Sequence, residues 1–172
     1  MNEAPAGLEE RLRRLEDNEE IRSLWHRYLL LFDRGGAHGE IAEMFTEDAV
    51  FETHGADGPD RVLRGRASID RDFLRVVSPP RPENDGRVYS GHQGTLCEIV
   101  IERDSARLLG RFFEMTGRGP GRLLAVGGTH ALDLRREPGG WRVAGLVMQL
   151  TFCAQFDTVE PRTAFLGKPP AE

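Results

Sequence analysis

Four long runs of apolar residues, joined by short polar turns, dominate the second half of the sequence. The runs are Gly91 to Ile101, Arg107 to Thr116, Leu124 to Arg135 and Trp141 to Phe152. The segments between them contain Asp, Gly and Pro, which are typical of turns between antiparallel strands. The pattern predicts a meander of four long antiparallel strands.

Helical patterns come before these strands. Asp17 and Asn18 either cap a second helix or lie on one continuous helix. A short amphipathic piece at 40–45 and a strand at 49–52 follow, and a proline-rich stretch ends a further helix at 66–77. The order of elements predicts an α+β domain with helices packed on one face of the sheet. The apolar residues at helical spacing in the first segment are Leu8, Leu12, Leu15, Ile21, Leu24, Trp25, Tyr28 and Leu31.

The charge and length of the chain limit its class. A net charge of −5 argues against nucleic acid as a partner, because phosphates attract a basic surface. No apolar run reaches the roughly 18 residues of a membrane span, and the polar N-terminus lacks a signal-peptide core. Cys97 and Cys153 lie in apolar strand-like runs and are interpreted as buried thiols in a reducing compartment. We therefore expect one cytoplasmic domain of 172 residues that contacts neither nucleic acid nor a membrane.

The first predicted helix presents a tyrosine and an aspartate just before a pair of glycines. Tyr28 and Asp33 precede Gly35 and Gly36. Residues five apart on a helix are rotated by about 140°, so the two side chains do not stack, but both can border a cavity at the helix end. A carboxylate in this position is either a solvated helix terminus or a buried base whose pKa is set by its surroundings.

The order of elements and five weak motifs resemble the SnoaL-like branch of the nuclear-transport-factor-2-like superfamily. The resemblance covers roughly residues 8–152. It implies a single α+β barrel domain, in which a cone-shaped, curved antiparallel sheet is wrapped by N-terminal helices around a deep apolar pocket. The family includes scytalone dehydratase, bile acid 7α-dehydratase, ketosteroid isomerase and polyketide cyclases, so the fold alone does not settle the function. The motifs are residues 11–17 leading into 21–24, Tyr28 with Asp33, and the segments 45–51, 64–69 and 139–143.

The resemblance also implies a catalytic pair. In dehydratase-like members an aspartate at the end of the long helix pairs with a histidine at the start of the first meander strand, and the matching residues are Asp33 and His92. An imidazole exchanges protons near pH 7, and a neighbouring carboxylate fixes its tautomer. Tyr28 matches a tyrosine that polarises a substrate oxygen in bile acid dehydratase. From the residues alone, a histidine without a catalytic role and a tyrosine that only packs its ring stay open as alternatives.

Further side chains are expected to line the pocket. Strand alternation places His130 on the face of Leu132 and Leu134, which is the predicted pocket side, and its role is either chemical or structural. The other predicted lining residues are Trp25, Phe32, Phe51 and Met148. The remaining histidines are interpreted as surface residues, His26 on the helix and His38 and His54 in loops.

No cofactor or metal is expected from the sequence. The histidines and cysteines show no His-x-x-x-His, His-x-His or Cys-x-x-Cys spacing. The glycine cluster at 117–121 lies between two predicted strands, which makes it a turn rather than a phosphate-binding loop. The absence of Gly-x-Ser-x-Gly argues against a serine nucleophile.

These features favour a cofactor-independent acid–base enzyme that acts on a small apolar oxygenated substrate, such as a polyketide or a steroid-like ring. The favoured reaction is dehydration, a lyase reaction that removes a proton alpha to a carbonyl group and then loses water. A polyketide cyclase or a double-bond isomerase would use the same pair. A non-catalytic ligand-binding or assembly domain is the alternative without chemistry. Epoxide opening by activated water is disfavoured, because the chain lacks a recognisable set of water-positioning groups.

Two features predict contacts beyond the compact domain. Apolar residues on both faces of the strands, such as Leu108 with Leu109 and Phe112 with Phe113, predict a homo-oligomer, because a sheet covered on one side alternates cleanly. The resemblance favours a trimer over a dimer. The tail at 153–172 is too apolar for a free terminus and too rich in proline for a long helix, so we expect it to cover the pocket mouth or a neighbouring subunit.

Overall fold

A computed structural model describes residues 7–55, 60–79, 87–118 and 122–157 of the chain. Its first element is one long helix, α1 (Leu8–Arg34), which runs without interruption through Asp17 and Asn18. The helix ends at Gly35, and both Gly35 (φ 68°) and Gly36 (φ 66°) take left-handed backbone conformations. Glycine takes this conformation without the steric cost of a Cβ atom, so the glycine pair ends the helix and turns the chain.

The other helices are short, and the described residues form six strands. The helices are α2 (His38–Ala42), α3 (Arg66–Ile69) and α4 (Arg75–Val77), with a π-helical turn at Asp70–Leu74 between the last two. The strands are β1 (Phe45–His54), β2 (Arg61–Arg64), β3 (Arg87–Glu102), β4 (Ser105–Arg118), β5 (Arg122–Glu137) and β6 (Gly140–Asp157).

The strands form one sheet in the order β2-β1-β6-β5-β4-β3. The four strands of the predicted meander, β3 to β6, pair with their sequence neighbours in antiparallel fashion. Each of these strands extends beyond its predicted bounds at both ends. The α+β class and the curved sheet are therefore confirmed.

Three parts of the sheet differ from the expectation. β1 pairs with β6 in parallel, so the sheet is mixed rather than wholly antiparallel. β2, which the sequence analysis did not predict, adds an antiparallel edge strand beside β1. The two edges, β2 and β3, do not pair, so the curved sheet is open and the described residues do not close the expected barrel.

Helix α1 lies directly on the backbone of the sheet. The inward-facing residues Trp25 and Leu29 are 0% and 3% exposed. A Cβ atom on Gly110 of β4 would lie 2.5 Å from the indole ring of Trp25, and one on Gly94 of β3 would lie 2.8 Å from Leu29 Cδ1. Glycine at these two positions is what permits so close an approach of helix and sheet.

A buried ion pair fixes the middle of α1 to the turn between β5 and β6. Arg136 donates a hydrogen bond to Asp17 Oδ1 at 2.5 Å, and Trp141 Nε1 donates to the same oxygen at 3.1 Å. The Arg136 guanidinium also lies 4.4 Å from the centre of the Trp141 ring. Burial opposes ionisation of Asp17, but the two hydrogen bonds outweigh it and lower the pKa of the carboxyl group.

The end of β6 lies outside the covered part of the sheet. Phe152, Cys153 and Phe156 are exposed, whereas Cys97 is half-buried. The prediction of a buried thiol is therefore wrong for Cys153, because no other described element packs over this strand end. The predicted tail begins inside β6, since the strand continues to Asp157, and residues 158–172 lie outside the described part of the chain. Of the helices described, none has the length and apolar character needed to cross a membrane.

Candidate active site

The side chains of Asp33 and His92 are in direct contact at the end of α1. His92 Nδ1 lies 2.6 Å from Asp33 Oδ1. The two side chains are 18% and 14% exposed, so most of the contact is shielded from water. This is the geometry that the predicted pair requires.

Asp33 lies in the last turn of α1, where a carboxylate is electrostatically unfavourable, and its contacts with His92 offset that cost. The carboxyl end of a helix carries partial negative charge, which disfavours a carboxylate in the last turn. His92 compensates with its backbone N–H, which lies 2.9 Å from each carboxylate oxygen, and with its ring Nδ1. Because an ionised carboxylate only accepts hydrogen bonds, Nδ1 carries a proton and the second ring nitrogen, Nε2, faces the other way.

Glu114 on β4 is a site residue that the sequence analysis missed. Its Oε2 lies 3.4 Å from His92 Nε2, and the hydroxyl of Thr116 donates to its other oxygen at 2.5 Å. His92 and Glu114 are paired residues of neighbouring strands, so the sheet itself sets them side by side. The imidazole of His92 therefore lies between two carboxylates, one on each ring nitrogen.

Tyr28 lies behind this pair, in an aromatic cluster. The tyrosine is 4% exposed, and its ring centre lies 4.9 Å from that of Phe32 and 5.7 Å from that of His130. Phe32 in turn lies 5.9 Å from the His92 ring, so the aromatic groups connect Tyr28 to the pair. Burial raises the pKa of the Tyr28 hydroxyl, which keeps it protonated and able to donate.

His130 on β5 is buried in the same cluster. Its ring stacks on Phe112 at 4.3 Å, and its Nδ1 accepts a hydrogen bond from Trp25 Nε1 at 3.3 Å. Phe112 also lies 6.3 Å from the His92 ring, so one phenyl group contacts both histidines. Burial, with a smaller contribution from His92, lowers the pKa of His130 to about 3.

The other residues predicted to line the pocket are divided between the site and the core. Met148 is the cross-strand partner of His130 and lies on the same face of the sheet, half-buried. Phe51 is fully buried and packs on Phe73 at 4.2 Å, with Phe73 also 6.3 Å from Phe32. The structure therefore places Met148 beside His130, and it separates Phe51 from His92 by the rings of Phe73 and Phe32.

The three remaining histidines are not part of the Asp33–His92 pair. His26 is exposed on α1, as expected, and its ring lies 5.4 Å from that of Trp25. The loop assignment is wrong for the other two: His38 begins α2 and lies 2.9 Å from Asp70, and His54 ends β1. Hydrogen bonds to Asp60 and Glu52 raise the pKa of His54. Across the described residues, no group of three or more His, Cys, Asp or Glu side chains is arranged to hold a metal ion.

Residues 13–147 match the family model described as the SnoaL-like domain. The chain belongs to the SnoaL-like family. The matched range contains Asp33, His92, Glu114 and His130, so all four side chains of the site belong to the family domain. The resemblance inferred from the sequence motifs is confirmed.

Solved structures share the fold of this SnoaL-like chain. An NTF2-like protein with a cystatin-like fold from Novosphingobium aromaticivorans is 26% identical, covering 88% of this chain and 92% of that protein at a TM-score of 0.60. A proposed scytalone dehydratase from the same organism is 14% identical, covering 91% and 97% at a TM-score of 0.66. The hexachlorocyclohexane dehydrochlorinase LinA type 3 from Novosphingobium barchaimii is 18% identical, covering 87% and 99% at a TM-score of 0.66. The last two similarities show the fold alone. A comparison with curated proteins found no significant match.

Proposed function

We propose that this SnoaL-like protein is a cofactor-independent dehydratase that acts on a small apolar compound with a carbonyl group and a hydroxyl group, such as a polyketide or steroid-like ring. The observation that carries the proposal is the 2.6 Å contact between Asp33 and His92 at a largely shielded helix end. The fold similarity to a proposed scytalone dehydratase and to a dehydrochlorinase is consistent with an elimination reaction.

His92 is the proposed base. Because Asp33 holds the proton on Nδ1, the lone pair of neutral His92 is on Nε2, where it can take a proton from the carbon next to the substrate carbonyl. The negative charge of Asp33 stabilises the imidazolium that forms. Tyr28 donates a hydrogen bond to the carbonyl oxygen as it becomes an enolate.

Glu114 is the proposed second proton carrier. The proton taken by Nε2 lies beside Glu114 Oε2, since the two atoms are 3.4 Å apart. From there it can pass to the departing hydroxyl group, so that the carbon–oxygen bond breaks, water leaves and the carbonyl re-forms. The proton removed from carbon leaves in the water, and no external acid or base is consumed.

Glu114 favours dehydration over double-bond isomerisation by the same base. A double-bond isomerase returns the proton to carbon, for which a single base is sufficient, whereas a dehydratase also delivers a proton to the departing hydroxyl group. A non-catalytic ligand-binding or assembly domain gives no reason for a carboxylate on each nitrogen of one imidazole, because burying charges without a role is costly.

The test uses a panel of cyclic β-hydroxyketones that ranges from one ring to fused rings. Formation of the conjugated enone is followed by ultraviolet absorbance, and water loss is confirmed by mass spectrometry. We expect His92→Ala to lower turnover by about 10²–10⁴-fold, as the loss of a general base typically does. Asp33→Asn should lower turnover nearly as much, because residues that act as a unit lose function together.

The matched control is His26→Ala, which removes an exposed histidine and should leave turnover unchanged. Unchanged turnover in His92→Ala or Asp33→Asn would overturn the assignment of the pair. Conversion of panel compounds without loss of water would overturn the dehydratase assignment. Binding of panel compounds with no conversion at all would establish the ligand-binding domain.

A further inference from the structure

Trp25 is held in one position by the sheet beneath it. Its indole ring lies against the bare backbone of Gly110, where a Cβ atom would approach to 2.5 Å, and against Gly94, where it would approach to 3.0 Å. The ring is fully buried. In the sheet register, Gly110 is paired with His130 of the next strand, so the same contact places the indole N–H at the imidazole.

This arrangement determines which nitrogen of His130 carries the proton. The indole N–H of Trp25 can only donate a hydrogen bond. His130 Nδ1, which accepts this bond, therefore carries a lone pair and no proton. A neutral imidazole then carries its hydrogen on Nε2. Nε2 is a hydrogen-bond donor that points away from Trp25.

Two donors of the aromatic cluster have no acceptor among the described residues. The Tyr28 hydroxyl and His130 Nε2 make no hydrogen bond in the described part of the chain. The two rings meet edge to face, with their centres 5.7 Å apart. Both hydrogens are therefore available to an acceptor oxygen that enters the cluster.

We propose that His130 is a catalytic hydrogen-bond donor, and that its Nε2–H and the Tyr28 hydroxyl together bind the carbonyl oxygen of the substrate. The inference rests on the proposed function, and it specifies the substrate class as a ketone whose oxygen enters the aromatic cluster. When His92 takes the neighbouring proton, the electron pair of the carbon–hydrogen bond forms the enolate double bond. The charge then moves to the oxygen, where the two donors stabilise it.

The surroundings of His130 suit a neutral donor. Burial lowers the pKa of His130 to about 3, so its imidazole stays neutral around pH 7. A neutral imidazole stabilises an enolate by hydrogen bonding without handing it a proton, a role that histidine also has in triosephosphate isomerase. Stacking on Phe112 at 4.3 Å fixes the ring plane, so the donor is oriented before the substrate binds.

The first measurement is the tautomer of His130, read from ¹⁵N nuclear magnetic resonance of the full-length protein. We expect the Nε2–H form throughout pH 5–8, with no titration. Trp25→Phe removes the indole N–H and should let the Nδ1–H form appear. An Nδ1–H tautomer in the unmodified protein, or titration of His130 in this range, would overturn the inference.

The second measurement is the affinity for 4-nitrophenol at pH 7, with its phenolate as a stable mimic of the enolate oxygen. His130→Phe keeps a flat ring on Phe112 but lacks the donor, and should weaken binding by about 10-fold or more, as expected for a lost hydrogen bond to a charged group. His130→Gln can accept from Trp25 and donate to the ligand, so it should restore most of the affinity. Leu30→Phe, at an exposed position of α1, is the control for a substitution outside the site, and thermal unfolding confirms that each variant folds.

The outcomes separate this inference from the proposed function. Binding by His130→Phe that equals the unmodified protein, or no binding by the unmodified protein, would overturn the role of His130 and leave the results for Asp33 and His92 unaffected. Weakened phenolate binding by His130→Phe would support the role of His130 as a donor. If the unmodified protein at the same time dehydrates no ketone of the panel, the dehydratase assignment alone is overturned.

Discussion

At the scale of single residues, the proposed proton transfer depends on where Glu114 lies. Its Oε2 is 3.4 Å from Nε2 of His92, which in the proposed reaction offers a second place for the proton. Asp33 on the other nitrogen holds the ring and fixes its tautomer. We propose that the two acidic residues have different roles on this imidazole: Asp33 positions the ring, and Glu114 transfers the proton.

The substitution Glu114→Gln tests that division of roles. The amide keeps the size of the side chain and can still accept the hydrogen bond from Thr116, but it cannot carry a proton. For a β-hydroxyketone that the unmodified protein dehydrates, we expect turnover to fall by about 10²-fold, which is the lower end of the usual contribution of an acid–base group. The affinity for this substrate should change much less. The control is Glu98→Gln, an exposed residue of β3. Equal turnover in the two variants would exclude proton transfer by Glu114.

The sequence predicted the contact of Asp33 with His92 but not that of Glu114, and the reason is one shift in register. β3 and β4 pair Cys97 with Gly110. Continued without interruption, that register would set His92 opposite Met115. A shift between Gly94 and Cys97 sets it opposite Glu114 instead. A slip of one residue moves side chains to the opposite face of a sheet, and bulges of this kind are not visible in hydrophobic patterning.

At the scale of elements, α1 positions the site because the helix is fixed at several points along its length. Asp17 joins its first half to the β5–β6 turn through Arg136 and Trp141. Trp25 contacts the backbone of the sheet in the middle, and Asp33 binds His92 at the end. A rigid helix with these contacts sets the carboxylate of Asp33 at a defined distance from the strands.

The substitution Asp17→Asn tests the first of these contacts. It removes the carboxylate from a mostly buried guanidinium, and we expect the free energy of unfolding at pH 7 to fall by about 2–4 kcal/mol. The folded-state pKa of Asp17 lies below its ordinary value of 3.8. The contribution of the ionised Asp17 side chain to the free energy of unfolding is therefore complete above about pH 4. It is lost as the pH falls through the lower pKa that Asp17 has in the folded state.

Urea unfolding of the unmodified protein and of Asp17→Asn at pH 7 and pH 3 measures this loss of stability. The difference in the free energy of unfolding between the two proteins should be smaller at pH 3. Glu16→Gln, at the exposed neighbouring position, is the control. A loss of stability in Asp17→Asn no larger than that in Glu16→Gln would contradict a structural role for the ion pair.

Most elements were predictable because they depend on local patterns. The first helix and the four strands of the meander have strong periodicity over many residues, and their predicted positions agree with the structure. β2 spans only four residues, and its pairing with β1 has no local signal in the sequence. The ion pair of Asp17 with Arg136 joins residues more than a hundred positions apart, so only the folded topology brings it together.

At the scale of the whole molecule, the outer face of the sheet carries apolar side chains that no described element covers. Phe112 is buried beneath the helices, whereas the next residue, Phe113, faces outward and its ring lies 6.0 Å from that of Phe152. Phe152 is 42% exposed and Leu109 is 48% exposed. Exposed apolar side chains on an uncovered sheet face lead us to expect another protein chain there.

We expect this outer face to form the interface of a homo-oligomer, with a trimer favoured over a dimer. Light scattering coupled to gel filtration should then give a mass near three times that of the 19.3 kDa chain at micromolar concentration. Phe152→Glu places a charge in the apolar patch and should dissociate the assembly, because a buried unpaired charge is costly. Leu30→Glu, at a position of α1 that is 65% exposed, is the matched control and should leave the mass unchanged. A stable monomer of the unmodified protein at this concentration would rule out the oligomer, and an unaltered mass in Phe152→Glu would place any interface elsewhere on the surface.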